Sequence, residues 1–425
     1  MTATLFEPGL PFARHLDDAD KLAPLRKQFV IDEPDLIYVD GNSLGRLTHH
    51  TAERLRAAVE QEWGRDLIRG WNGGWYEAPL RVGEQIARLV GAKPGQVAVS
   101  DSTSVNLFKL VMAALALRPE RTGIVTDTLN FPSDLYILQG CIRLMGNRHT
   151  LHLVPSADGI TVDRQTLLDA ITGQTALVAL SHVTFKSGFK HDAAAITRRA
   201  HSVGALVLWD LSHAAGAVPV ELDAWGADFA VGCTYKYLNG GPGAPAFLYV
   251  RQALQNKALS PIWGWFGQQN PFEFGLNYQP AAGMARFLAG SPPILSLLAI
   301  EAALEPLLEA GIARLRRKSV QLTEYLIYLA DTHLTPLGFS LGSPRNPARR
   351  GSHVSLRHPD GYRINRALID QMNVLPDFRE PDNIRLGLAP LYNTFTEVWQ
   401  TVDRLRRVVA EGRHLRLPAE RPPVT

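Results

Sequence analysis

Two short segments hold side chains whose types and order could do chemistry together. In WDLSHAAG (209–216) an acid, Asp210, ends an apolar run and His213 follows in a small-residue turn, while in TYKYLNGGPG (234–243) Lys236 lies at the end of the next apolar run. Loops beyond the carboxyl ends of parallel strands are where such sheets bind ligands. Taken singly, Asp210 reads equally as a helix cap, His213 as a packed turn residue, and Lys236 as a side chain snorkelling to water beside turn-forming glycines. A lysine at the rim of a buried apolar sheet is nevertheless costly without a reason, and desolvation favours the neutral amine that attacks a carbonyl.

Taken together the two segments are more specific, because an acid after one strand and a lysine after the next can face one cofactor ring. That is the pattern of pyridoxal phosphate: the acid keeps the pyridine nitrogen protonated, and the lysine anchors the aldehyde and shuttles protons. A phosphate needs a cradle, and DSTSVNLFKLVMAAL (101–115) places Thr103 and Ser104 at the expected start of an apolar helix, where free N–H groups and the helix dipole favour an anion. NFPSD (130–134) supplies Phe131, which could stack on the ring. Alone, the first of these is an ordinary helix cap and the second an ordinary turn.

The elements that must position these residues follow from hydrophobic periodicity. Apolar runs at 96–100, 123–127, 175–183, 205–210 and 228–237 alternate with helix-like stretches, which predicts a mainly parallel sheet covered by helices, an α/β architecture. Helical spacing is expected from Thr48 to about Arg65 and from Leu80 to Val90, with a Trp-rich loop, GWNGGWY (70–76), between them. A long helical pattern runs from Ile294 to Leu329, with breaks expected at Pro306 and Gly311. RNPARRG (345–351) reads as an exposed loop, followed by strands at 353–358 and 383–388, a helix near Tyr362–Met372, and a last helix whose Thr394 and Glu397 form a capping box. The expected organisation is an N-terminal arm and helix (1–60), a large domain (61–293), a linking helical region (294–334) and a small C-terminal α+β domain (335–425).

Composition narrows the partners. The chain has 425 residues, 46% hydrophobic, with Lys+Arg 44 against Asp+Glu 41. A formal net charge of +3 falls far short of the concentrated positive field that nucleic-acid binding requires. Two cysteines, Cys141 and Cys233, make neither a disulfide framework nor a metal-ligand cluster, which fits a reducing, cytoplasmic compartment. Residues 1–20 carry acids and prolines rather than the pattern of a signal peptide, and no apolar run reaches membrane-spanning length.

Read as one series, GNSLG, STSVNL, NFPSD, WDLSHAAG, TYKYLNGGPG, WGWFG, GSPPI and RLGLAPLYN resemble the kynureninase family from about residue 40 to residue 393. The resemblance implies an aspartate-aminotransferase-like fold of type I, a homodimer with active sites at the subunit interface, and hydrolysis of L-kynurenine or 3-hydroxykynurenine to anthranilate or its hydroxy derivative and L-alanine. It implies that Lys236 carries the cofactor, Asp210 pairs with the pyridine nitrogen, and His213, Phe131, Asp134 and Ser181 surround the ring. Thr103, Ser104 and Tyr235 would contact the phosphate, with Trp265 and Ser291 completing that site from the neighbouring subunit; Tyr235 would also serve in proton transfers. Arg385 would hold the substrate carboxylate, for which a guanidinium fork is matched, unless it pairs with Glu380 or Asp382. Asn42, Ser43 and Trp71 would border the substrate's aromatic ring. The rivals are an aminotransferase, a cysteine desulfurase that would need a mobile thiol, and a non-catalytic protein binding a phosphate-bearing ligand. A nicotinamide dehydrogenase lacks its G-x-G-x-x-G after an early strand.

Overall fold

The apolar runs become strands because each can be covered on both faces, and the way they alternate decides which face each residue feeds. A computed structural model describes residues 6–418. In chain order the first strands are β1 (Ile37–Tyr38), β2 (Val97–Val99), β3 (Gly123–Asp127), β4 (Thr150–Val154), β5 (Thr175–Ser181), β6 (Leu206–Asp210), β7 (Phe229–Gly232) and β8 (Phe247–Val250). They are followed by β9 (Ser340–Leu341), β10 (His353–Arg357), β11 (Val374–Leu375), β12 (Asp377–Arg379) and β13 (Asn383–Gly387).

Seven of these form one sheet in the order β2-β8-β7-β6-β5-β3-β4. The pairings from β4 to β7 are parallel, and those on either side of β8 are antiparallel. Every residue of β5, β6 and β7 is buried. Alternate side chains go to opposite faces: Val178, Leu180, Val207, Trp209 and Ala230 enter one core, and Leu177, Ala179, Leu206, Leu208, Phe229 and Val231 enter the other. The expected α/β sheet is therefore present, with two strands the sequence reading did not mark. In β4, an edge strand, most side chains are exposed, so the apolar signal is weak. The second, β8, is four residues long.

The run at 228–237 is shorter as a strand than expected. Its ladder ends at Gly232, which pairs with Phe247. Beyond it the backbone turns on itself, with Gly240 N–H donating to the Thr234 carbonyl and the Thr234 hydroxyl to the Pro245 carbonyl. Lys236 accordingly lies in a tight turn past the strand end, not on the strand.

A second sheet, β12-β13-β10-β9, is antiparallel throughout. It encloses a third core with the helices Ile312–His333, Gly361–Met372 and Phe395–Ala410. The expected helical pattern from 294 divides into Ile294–Ala303, Glu305–Ala310 and Ile312–His333. Pro306 is tolerated in the first turn of the middle helix, and Gly311 adopts φ +73°, which ends it. The helix expected from Thr48 starts at His49 and widens into a π-helix over Ala58–Asp66. The 345–351 loop is mostly exposed, but Arg350 is wholly buried, donating to the Pro344 and Arg345 carbonyls and pairing with Glu324.

The N-terminal arm closes against this C-terminal region. β1 pairs in parallel with β11, and both carboxylate oxygens of Asp17 accept from the first free N–H groups of the last helix, at Phe395 and Thr396. The Thr394–Glu397 capping box is formed as expected, with the Thr394 hydroxyl accepting from Glu397 N–H at 3.0 Å. Replacing Thr394 by Ala should lower stability by about 1 kcal/mol, measured as a shift in the urea midpoint; no shift would mean that Asp17 alone satisfies this helix end.

Candidate active site

The C-terminal ends of β5, β6 and β7 share one edge of the large sheet, with Ser181 opposite Asp210 and Asp210 opposite Val231. A cavity of about 290 Å³ opens there. Of the residues singled out in the sequence, Thr103, Ser104, Phe131, Asp134, Asp210, His213, Tyr235 and Lys236 all line it. The turn carrying Lys236 is held from below by the 41–45 loop, whose Gly45 N–H donates to the Tyr235 carbonyl at 2.8 Å. A side chain at Gly45 would collide with the Lys236 carbonyl and Asn239, so only glycine lets the loop approach.

Lys236 Nζ does not point to bulk water. It lies 3.0 Å from His213 Nε2 and 5.9 Å from the ring centroids of both Phe131 and Tyr235. Burial, reinforced by the Lys236 charge, holds the His213 imidazole well below its usual range, so it is neutral. Its Nδ1 is buried and has no partner among the described residues. Asp210 Oδ1 accepts from Ser212 N–H at 2.8 Å and from the Ser212 hydroxyl at 2.6 Å, which fixes the plane of the carboxylate. Asp134 is buried beside it, and burial together with the Asp210 charge pushes its carboxyl well above the usual range. Two carboxyl groups thus stand side by side, and their nearness is part of what raises Asp134.

The expected apolar helix starts at Thr103. Ser102, not Thr103, is the N-cap, its hydroxyl accepting from Val105 N–H at 3.3 Å, and the helix Thr103–Ala116 starts directly at the cavity wall. Phe131 is 41% exposed, which leaves its face free for a stacked ring. Asn130, which the sequence reading passed over, positions it: Asn130 Oδ1 accepts from Phe131 N–H at 2.9 Å and from the Ser181 hydroxyl at 2.7 Å. Ser181 therefore faces Asn130 and does not line the cavity.

Arg385 is almost wholly buried on β13. Its ion-pair partner is Asp377, not Asp382. Strand register places Asp377 directly opposite it, and Arg385 Nη2 donates to Asp377 Oδ2 at 2.6 Å and to the Ser43 hydroxyl at 2.8 Å, while Nη1 donates to the Phe185 carbonyl at 2.6 Å. Asp382 pairs instead with Arg357. Asn42 is buried against the same guanidinium, and with its amide oxygen turned inward it accepts from Nε at 2.7 Å. Phe185 also packs edge-on against Phe131, with centroids 5.2 Å apart, so it joins the arginine to the ring-stacking residue. Neither Phe185 nor Asp377 was found from sequence; the period-two spacing of Asp377 and Arg379 beside Arg385 was the available signal.

Three expected residues are not brought to Lys236 within the chain. Trp71 and Trp265 pack edge-to-face 6.4 Å apart in a separate aromatic cluster. Ser291 lines an adjoining cavity with Asp101, Ser102 and Gly243. Both cysteines are buried and their thiols are pushed up by that burial, Cys141 to about 12, so neither is a mobile, ionised nucleophile. Among the described residues no cluster of three or more metal-ligating side chains occurs, and no helix is long and apolar enough to cross a membrane.

Comparison with known proteins separates the fold from the chemistry. Solved cysteine desulfurases from Thermococcus onnurineus NA1 (TM-score 0.76, 20% identity, 91% of this chain and 98% of that one) and Escherichia coli (TM-score 0.76, 18% identity, 97% and 99%) share the fold. The aminotransferase class-V family matches residues 77–358, and the kynureninase C-terminal domain matches residues 315–405. The kynureninase of Pseudomonas fluorescens is 46% identical over 399 residues, covering 93% of this chain and 94% of that protein. A kynureninase of Burkholderia pseudomallei is 42% identical over 399 residues, with the same coverage. With an acid and a lysine lining one cavity, and with relatives that match it almost end to end, the chain belongs to the kynureninase family.

Proposed function

We propose that the cavity holds pyridoxal 5'-phosphate on Lys236 and that the enzyme hydrolyses the Cβ–Cγ bond of L-kynurenine, or its 3-hydroxy derivative, to anthranilate, or 3-hydroxyanthranilate, and L-alanine. The observation that carries this reading is Lys236 Nζ, set 3.0 Å from a neutral imidazole in a cavity that Asp210 also lines. The remaining residues fit the cofactor. His213 Nδ1 is buried without a partner, Phe131 offers an open ring face, and the start of the Thr103–Ala116 helix supplies N–H groups for a dianion.

When bound, the cofactor withdraws electrons from the substrate's α-carbon. The protein's part is to place and move protons around that carbon. Asp210, its plane fixed by Ser212, would pair with the pyridine nitrogen, and Asp134 beside it, its carboxyl raised by burial, would favour its neutral form there. Lys236 Nζ is the base that takes the α-proton. Burial holds the Tyr235 phenol above its usual range, with the Cys233 thiol adding to the shift, so Tyr235 stays protonated and can donate while water adds to the γ-carbonyl. Arg385 grips the substrate carboxylate, with Asn42 and Ser43 beside it.

Trp265 and Ser291 complete the neighbouring subunit's site in a homodimer. In support of this, Trp263, Phe272, Phe274 and Leu276 are all exposed, and Phe272 packs edge-on against Trp265 itself. Trp71, packed on Trp265, would then border the same neighbouring site. The two unpaired, buried thiols accord with a cytoplasmic setting.

Three outcomes test these assignments. The purified protein should be yellow, borohydride should leave a stable adduct on Lys236, and Lys236→Ala should lower anthranilate release from L-kynurenine about a thousandfold; a colourless protein without adduct returns the chain to a non-catalytic binding role. Arg385→Lys, which keeps the charge but loses the fork, should raise KM about ten- to a hundredfold with a smaller change in kcat. The double variant Phe274→Asp, Leu276→Asp should move the protein from dimer toward monomer in light scattering, and an unchanged mass would place the subunit contact elsewhere.

A further inference from the structure

Building on the reading that Arg385 receives the substrate carboxylate, we infer that Asp377 occupies part of that receiving position, so that loading the site exchanges an internal carboxylate for the substrate's. A guanidinium has five N–H groups. Here Nη1 donates to the Phe185 carbonyl at 2.6 Å, Nη2 to Asp377 at 2.6 Å and to Ser43 at 2.8 Å, and Nε to the inward-turned Asn42 amide at 2.7 Å. One N–H on Nη1 is left, whereas a bidentate grip on a carboxylate takes two parallel N–H bonds. At least one present partner must give way.

Asp377 is the partner built to do so. The Phe185 partner is a backbone carbonyl, Asn42 is wholly buried beneath Gly387, where a side chain would collide with it, and the Ser43 hydroxyl is tied to Asp377 itself, donating to Oδ2 at 2.9 Å. Asp377, by contrast, stands on β12, a three-residue outer strand of its sheet. It also has a second cation on the same strand: Arg379 Nη2 donates to the same Oδ2 at 2.7 Å, and the Arg379 side chain is 39% exposed. Leaving Arg385 therefore does not leave Asp377 unpaired. Its other oxygen, Oδ1, is buried with no partner among the described residues, so the present position is not fully satisfied.

The surrounding charge favours exchange over addition. Two carboxylates, Asp40 and Asp377, already face two guanidiniums, Arg379 and Arg385, and the Asp40 carboxyl is held up at about 6 by burial and then by the Asp377 charge. A third carboxylate added to this group would meet repulsion that removing Asp377 relieves. The exchange makes the site selective: a ligand with an α-carboxylate repays the loss of the Asp377 contact, and a ligand without one does not.

The test compares L-alanine with L-alaninamide, which lacks the carboxylate, binding to the holoenzyme of the unaltered protein and of Asp377→Asn. Removing the internal competitor should tighten L-alanine and lower KM for L-kynurenine by about fivefold or more, with alaninamide affinity unchanged. Weaker alanine binding, or an equal change for both ligands, would overturn the inference and make Asp377 a positioning residue for Arg385. A measurement on the unaltered holoenzyme covers the case in which the variant does not fold: saturation with L-alanine should speed hydrogen exchange at the amides of 377–379, and unchanged or slower exchange overturns the inference equally. Anthranilate release by the unaltered enzyme is read separately; its absence would sink the functional proposal, while its presence with either overturning result sinks the exchange alone.

Discussion

An amine held against a neutral imidazole at the carboxyl edge of a parallel sheet is the constraint on which the site depends. Lys236 Nζ lies 3.0 Å from His213 Nε2, and burial is what keeps that imidazole uncharged. The sheet supplies that condition. Its three central strands are buried on both faces, so their ends form a rigid, dry rim, and the turn beyond β7 delivers Lys236 to the rim instead of letting it extend into solvent. The same condition governs Asp134, whose proton is kept by burial and by the charge of Asp210. Two titratable groups, His213 and Asp134, are thus shifted by the same burial.

Much of this was legible in the sequence because it is local. Asp210 ends an apolar run, Lys236 follows the next, and Thr103 and Ser104 open an apolar helix; these patterns each span fewer than ten residues, and eight of the named side chains do meet in one cavity. What escaped depends on register or on chain crossings. The partner of Arg385 is set by the pairing of β12 with β13, which puts Asp377 across from it, although Asp382 is nearer along the chain. Phe185 reaches the site because the loop after β5 turns back toward both Phe131 and Arg385, and nothing in TFKSG specifies that path. Lys236 itself was assigned to a strand that stops at Gly232, since the apolar run outlasts the ladder available to pair it.

The desulfurase neighbours show how little of the chemistry the fold determines. They overlay this chain at TM-scores of 0.76, yet both thiols here are buried, raised by burial, and absent from the cavity wall. In this chain Arg385 is held buried by residues from both ends of the sequence, through backbone and neutral amide partners as well as through charge.

The pairing of β1 with β11 has a consequence for how the molecule comes into being. Ile37 N–H donates to the carbonyl of Asn373, and Asp17 caps a helix that begins at Phe395, so the segment that leaves the ribosome first has no place to settle until nearly the last has emerged. The large sheet, made from the middle of the chain, can assemble during translation while the arm waits outside it, and closing so long a loop is slow. Since Asn42 and Ser43 follow directly on that arm and touch Arg385, the surroundings of that buried guanidinium are also completed late.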